Sequence, residues 1–99
     1  MPVFITNGPF MTVWENHKDF HERKYLIARD LPPLFLLRVT KRNDGRFEPL
    51  VRYAQGGGLS LAYGDSYFYL AEAQERAISL VGEVMSSMLE DHESGISLI

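Results

Sequence analysis

Asn43-Asp44-Gly45 stands between two runs of mixed apolar and polar residues, 34–42 and 46–54, and this commits the middle of the chain to an antiparallel hairpin. Gly supplies the positive φ that a tight connection needs. A two-residue turn at Asp44-Gly45 would set Leu37 opposite Arg52, mixing apolar with charged side chains. A three-residue loop, with Gly45 as a G1-type bulge, pairs Phe35 with Tyr53, Leu37 with Val51 and Val39 with Pro49, giving one apolar face. The faces select the second register. The opposite face then collects Arg38, Arg42, Arg46 and Arg52, interrupted by Leu36, Thr40, Glu48 and Leu50. Pro49 has no N–H to give to a ladder, so an unpaired side is expected near it.

Gln55-Gly56-Gly57-Gly58 reads as a loop, after which Leu59, Leu61 and Tyr63 alternate with Ser60 and Ala62. A turn at Gly64-Asp65 predicts a second hairpin that pairs Tyr63 with Ser66, Leu61 with Phe68 and Leu59 with Leu70. In the rival reading Ser66 caps a helix that starts at Tyr67 rather than Ala71. From Ala71 the pattern is helical: Leu70, Ala73, Ala77, Val81, Val84, Met85 and Met88 share a stripe, with Glu72, Glu75, Arg76, Ser79, Glu83 and Ser86 opposite. Glu72 and Arg76 are spaced to pair. Ser94-Gly95 predicts a stop near residue 90, leaving 94–99 as a frayed tail or an edge strand. In residues 1–30 the pattern is weaker. Val3-Phe4-Ile5-Thr6 and Phe10–Trp14 around Asn7-Gly8 look like a hairpin, and the polar residues 15–24 look like a short helix that Leu31-Pro32-Pro33 would end.

These elements predict one α+β domain over residues 1–99. An antiparallel meander of four or more strands, centred on residues 34–70, packs against one long C-terminal helix, 71–90, of about five turns. Ninety-nine residues are too few for two independent cores, and 45% hydrophobic against 23% charged residues is a globular composition. The formal charge of −3 argues against a general polyanion binder, but it is unevenly placed. Residues 31–57 carry five basic side chains against two acids, a local +3, whereas residues 71–99 carry Arg76 against six acids, a local −5. Cysteine is absent, which removes thiolate chemistry and cysteine zinc sites and permits a reducing cytoplasmic setting. Met1–Thr6 lacks the basic and long apolar stretches of a signal peptide, and no apolar run approaches a membrane span.

Each motif that could carry chemistry has a plainer alternative. His17 and His21 lie four apart, a spacing that on a helix could grip zinc with Glu15 or Glu22, but Lys18 stands where a metalloprotease pattern needs glutamate. Two solvated histidines are the reading preferred. Asp91-His92-Glu93 has the composition of a charge relay without the geometry, and no G-x-S-x-G serine accompanies it. Gly56-Gly57-Gly58 lacks the lysine of a phosphate loop and opens a strand rather than a helix. No catalytic residue, metal or cofactor is expected.

The arginine face is the strongest candidate site. Arg38, Arg42, Arg46 and Arg52, with Tyr67 and Tyr69 on the face opposite Phe68, form the expected partner-binding set. Arginine and tyrosine on a partly apolar field are enriched at protein interfaces, and the same residues can meet phosphates and stack on bases. Asp44-Gly45-Arg46-Phe47, Gly58, Gly64-Asp65-Ser66 and Ala71-Glu72-Ala73 together resemble HicB-like antitoxin domains. The resemblance covers less than a third of the chain, the step from Gly64-Asp65 to Ala71-Glu72-Ala73 is longer than in that family, and no residue role is carried over. The expected function is a non-catalytic adaptor or inhibitor that docks on a larger protein complex, such as a phage or mobile-element accessory protein blocking a host defence complex. The alternatives are a sheet-based DNA- or RNA-binding regulator and an antitoxin-like partner of a toxin. A homodimer through an edge strand is compatible with all three.

Overall fold

The computed structural model describes residues 9–55 and 60–97, with side chains through Met88. An antiparallel sheet of six strands packs against one C-terminal helix, the α+β arrangement expected. The strands are β1 (Phe10–Met11), β2 (Glu15–Asn16), β3 (Phe20–Leu26), β4 (Phe35–Lys41), β5 (Phe47–Tyr53) and β6 (Ser60–Tyr63), followed by α1 (Leu70–Ser97). β3 to β6 form the meander, and β1 and β2 both pair with the outer side of β3.

The central hairpin has the register that places the apolar residues together. Phe35 faces Tyr53, Leu37 faces Val51 and Val39 faces Pro49. Gly45 has φ 87°, and its N–H donates to the Arg42 carbonyl while the Arg42 N–H donates to the Arg46 carbonyl. That is a three-residue loop closed by a left-handed glycine. Phe35, Leu37, Val39 and Val51 are fully buried, and Ala73, Ala77, Leu80, Val81 and Val84 of α1 lie over them. The alanines bring the helix axis close to the sheet, and the larger residues fill the space on either side.

Residues 15–24 form β2 and most of β3, not the expected helix. Their true period is two. Phe20, Glu22 and Lys24 lie opposite Thr40, Arg38 and Leu36 on the solvent side, whereas His21, Arg23 and Tyr25 lie opposite Val39, Leu37 and Phe35 on the helix side. Charges on both faces hide the alternation, and β4 supplies the backbone partner that fixes it. Residues 3–8 of the expected N-terminal hairpin lie outside the described residues. Phe10–Met11 pairs with β3, and Trp14 packs against the core.

The second hairpin does not form. Phe68 is 69% exposed instead of facing Leu61, and Leu59 lies outside the described residues. The chain stays beside β5: the Gly64 N–H donates to the Pro49 carbonyl at 2.9 Å, and Tyr67 exchanges two 2.8 Å bonds with Phe47. Pro49 offers no N–H on that side, so the chain departs from the ladder at 65–66 and rejoins it at Tyr67.

Neither predicted helix start is the one observed. α1 begins at Leu70, where the Tyr69 carbonyl accepts the Ala73 N–H, and it continues through Gly95 to Ser97. A single helical glycine costs only about 1 kcal/mol, which does not stop this helix. Of the expected stripe, Met85 and Met88 are 40% and 37% exposed, and Leu80 takes a core position instead. Arg76 pairs with Glu83, two turns along, rather than with Glu72. Glu83 raises the guanidinium pKa further above its ordinary value.

Three glycines therefore carry different consequences. A Cβ on Gly64 would lie 2.7 Å from Pro49 Cγ and 2.9 Å from Arg76 Cγ, whereas one on Gly82 meets nothing within 4 Å. Chemical denaturation is expected to show Gly64→Ala destabilised by about 1–3 kcal/mol and Gly45→Ala by about 1 kcal/mol. Gly82→Ala, inside a helix with open space, is expected to gain about 0.5–1 kcal/mol. Equal effects at the three positions would contradict this packing.

Candidate interaction surface

Strand alternation sends the even-numbered residues of β3, β4 and β5 away from the helix. The solvent face thus carries cross-strand rows of Glu22, Arg38, Leu50 and Tyr63, of Lys24, Leu36 and Arg52, and of Phe20, Thr40 and Glu48. The four arginines predicted for this face differ sharply in what they touch.

Arg38 is held inside its own sheet. Its Nε and Nη2 donate to Glu22 Oε2 at 2.8 and 2.7 Å, and its guanidinium lies 4.2 Å over the Phe20 ring. Arg42, at the hairpin loop, meets Asp44 at 3.0 Å and Glu48 at 3.3 Å. These carboxylates cancel much of the positive field that a row of four arginines would project. Arg46 and Arg52 make no ion pair among the described residues, and the Nε of each is buried without a hydrogen-bond partner.

The six predicted site residues do not form one cluster. Arg46 stands at the hairpin end of β5 and Arg52 near the other, about 20 Å apart along a strand. Tyr67 is turned inward against the core, so it is not available beside the arginines as expected. Tyr69 is exposed at 71%. The aromatic partner the sequence did not identify is Phe68, whose ring lies 4.1 Å beneath the Arg46 guanidinium. Assigning Phe68 to a second hairpin core concealed it. Its signal was an aromatic triplet after Gly64-Asp65 whose inward member is Tyr67.

His17 lies in the β2–β3 turn and His21 in β3, so neither is on a helix. His17 stacks on Phe20 with ring centroids 4.4 Å apart and lies 3.5 Å from Glu15, while His21 Nδ1 and Asn16 Oδ1 are 2.7 Å apart. Among the described residues no three side chains are grouped to hold a metal. Asp91-His92-Glu93 lies within the last turns of α1. On the helix side of β3, Arg23 donates to the Thr12 carbonyl at 2.8 Å and lies 5.3 Å from the Trp14 ring, and burial lowers its pKa.

The Glu22–Arg38 contact yields a measurable quantity. A double-mutant cycle with Glu22→Gln and Arg38→Met is expected to give about 1 kcal/mol of coupling at low salt, since both side chains are partly shielded, and less in about 1 M salt. A coupling of zero at low salt would show that the two are merely adjacent.

No helix among the described residues is long and apolar enough to cross a membrane. Comparison with protein-family models, with curated proteins and with solved structures finds no match for this chain.

Proposed function

We propose that this protein is a small non-catalytic binding module that docks on a larger protein complex as an adaptor or inhibitor. The observation that supports this reading is the Arg46–Phe68 stack beside exposed Tyr69. Phe68, 69% exposed, stands in water against a guanidinium whose Nε has no acceptor among the described residues, and the next residue in the chain, Tyr69, is 71% exposed. Exposed aromatics of this size are costly to hydrate, and together with arginine they dominate the energy of protein interfaces once water is removed. The stack also holds Arg46 in one orientation, which lowers the entropy lost on docking. Steric blocking or charge mimicry by the acidic helix suits a phage or mobile-element accessory protein acting on a host complex in the cytoplasm.

A nucleic-acid reading is favoured by one observation, the absence of ion pairs at Arg46 and Arg52 among the described residues. The neutralised Arg38 and Arg42 count against it. The two readings separate in a pull-down from host lysate, with and without nuclease, using the wild type and a Phe68→Ala/Tyr69→Ala variant. A defined protein set that survives nuclease and falls by about tenfold or more with the variant is expected. Capture that disappears with nuclease and is lost on Arg46→Ala and Arg52→Ala would overturn the proposal in favour of nucleic acid.

A further inference from the structure

The sheet has two faces and one helix. α1 packs on β4, β5 and β6 from one side, and among the described residues no element covers the other. On that second face the carboxylates are already engaged: Glu22 holds Arg38, and Asp44 and Glu48 hold Arg42. Towards the end of the sheet away from the hairpin loop lies the cross-strand row Lys24, Leu36 and Arg52. Its two cations make no ion pair among the described residues, and Arg52 Nε is buried with no acceptor there. Residues 1–8 and 56–59, outside the described part, contain no aspartate or glutamate, so those segments hold no side-chain carboxylate that could neutralise the row.

Leu36 separates the two cations, and Leu50 and Tyr63 continue the apolar surface in the next row. Both leucines are half-buried, and Tyr63 is 69% exposed. Neighbouring strands lie about 4.8 Å apart, so the Cα atoms of Lys24 and Arg52, two strands from each other, are separated by about 10 Å. Lys24, Arg38 and Arg52 against Glu22 leave these two rows with a net charge of +2, in a protein whose total is −3. The patch is thus a pair of unneutralised cations bracketing leucine, with a tyrosine at its rim.

We propose that this patch receives an acidic amphipathic segment of a partner protein, with one carboxylate on Lys24, one on Arg52 and an apolar side chain between them on Leu36 and Leu50. A helix that presents acid, leucine and acid at successive turns has the matching dimension, since two turns rise about 11 Å. The Arg52 guanidinium offers a carboxylate a planar fork of donors, and covering the leucines removes the water that would screen both charge pairs. A nucleic-acid strand is a poorer match, because its phosphates need a track of cations and here leucine stands between the only two that are unpaired in these rows among the described residues. The inference rests on the docking reading above only in taking the partner to be a protein. Its residues are separate from Arg46, Phe68 and Tyr69.

The probe is a fluorescent helical peptide of about 15 residues with two glutamates two turns apart and leucine midway, read by anisotropy at low salt. The wild type is expected to bind it with a Kd of about 100 μM or tighter. Replacing both peptide glutamates by glutamine, which leaves the protein unaltered, is expected to weaken binding by about tenfold or more, as are Lys24→Glu and Arg52→Glu. Phe68→Ala/Tyr69→Ala is expected to leave it unchanged. No saturation up to about 1 mM peptide would overturn the proposal, and so would equal affinity for the glutamine peptide. A thymidine oligonucleotide that binds more tightly than the peptide and is lost on the same charge reversals would overturn it in favour of nucleic acid. Peptide binding alongside a failed lysate capture would leave this patch standing without the Arg46–Phe68 docking surface, and the converse would remove this patch alone.

Discussion

One layer of side chains organises this protein: Phe35, Leu37, Val39 and Val51 of the central hairpin beneath Ala73, Ala77, Leu80, Val81 and Val84 of the helix. These residues are buried almost completely, and burying each Val, Leu or Phe side chain among them contributes about 1.5–3 kcal/mol. Everything else follows from which way that layer faces. Because strand side chains alternate, fixing Leu37 and Val51 inward fixes Arg38, Leu50 and Arg52 outward. A one-residue slip would drive Arg52 into the core, so the register is under strong selection by energy alone. The charged face and the apolar core are two consequences of one pairing.

The helix is placed by a different constraint, the missing N–H of Pro49. A regular sixth strand would continue beside β5, but at Pro49 the ladder has no donor. The chain steps out after Gly64, which fits only because it lacks a Cβ against Pro49 and Arg76. It returns for a single bridge at Tyr67 and enters the helix three residues later. That detour turns Tyr67 into the core and Phe68 out towards Arg46. The candidate docking surface is therefore a by-product of how the sheet ends and the helix begins.

What could be read from the sequence follows the same physics. The central hairpin was legible because Gly45 marks its turn and only one register separates apolar from charged residues. The stripe through Ala73, Ala77, Val81 and Val84 was legible for the same reason. β3 was not, because Glu22 and Lys24 on one face and His21 and Arg23 on the other give no apolar alternation, and long-range pairing with β4 decides its conformation. The second hairpin misled because Tyr67, Phe68 and Tyr69 suit a strand locally, while the decisive restraint sits at Pro49, far along the chain. Of the expected partner-binding residues, Tyr69 is exposed just before the helix rather than on a strand, Arg46 and Arg52 each have a buried Nε, and the ion pairs that hold Arg38 and Arg42 depend on Glu22, Asp44 and Glu48. Cross-strand neighbours such as Glu22 become visible only when the strand order is known.

Site-resolved amide hydrogen exchange on the dilute full chain reads out the hairpin–helix layer, since the slowest amides mark the structure that opens only on global unfolding. These are expected to belong to β4, β5 and the stretch of α1 from Ala73 to Val84, with residues 85–97 of the helix exchanging far faster. If β1 to β3 or the far end of α1 protected their amides better than β4 and β5 do, the hairpin–helix layer would not be the core on which this fold rests.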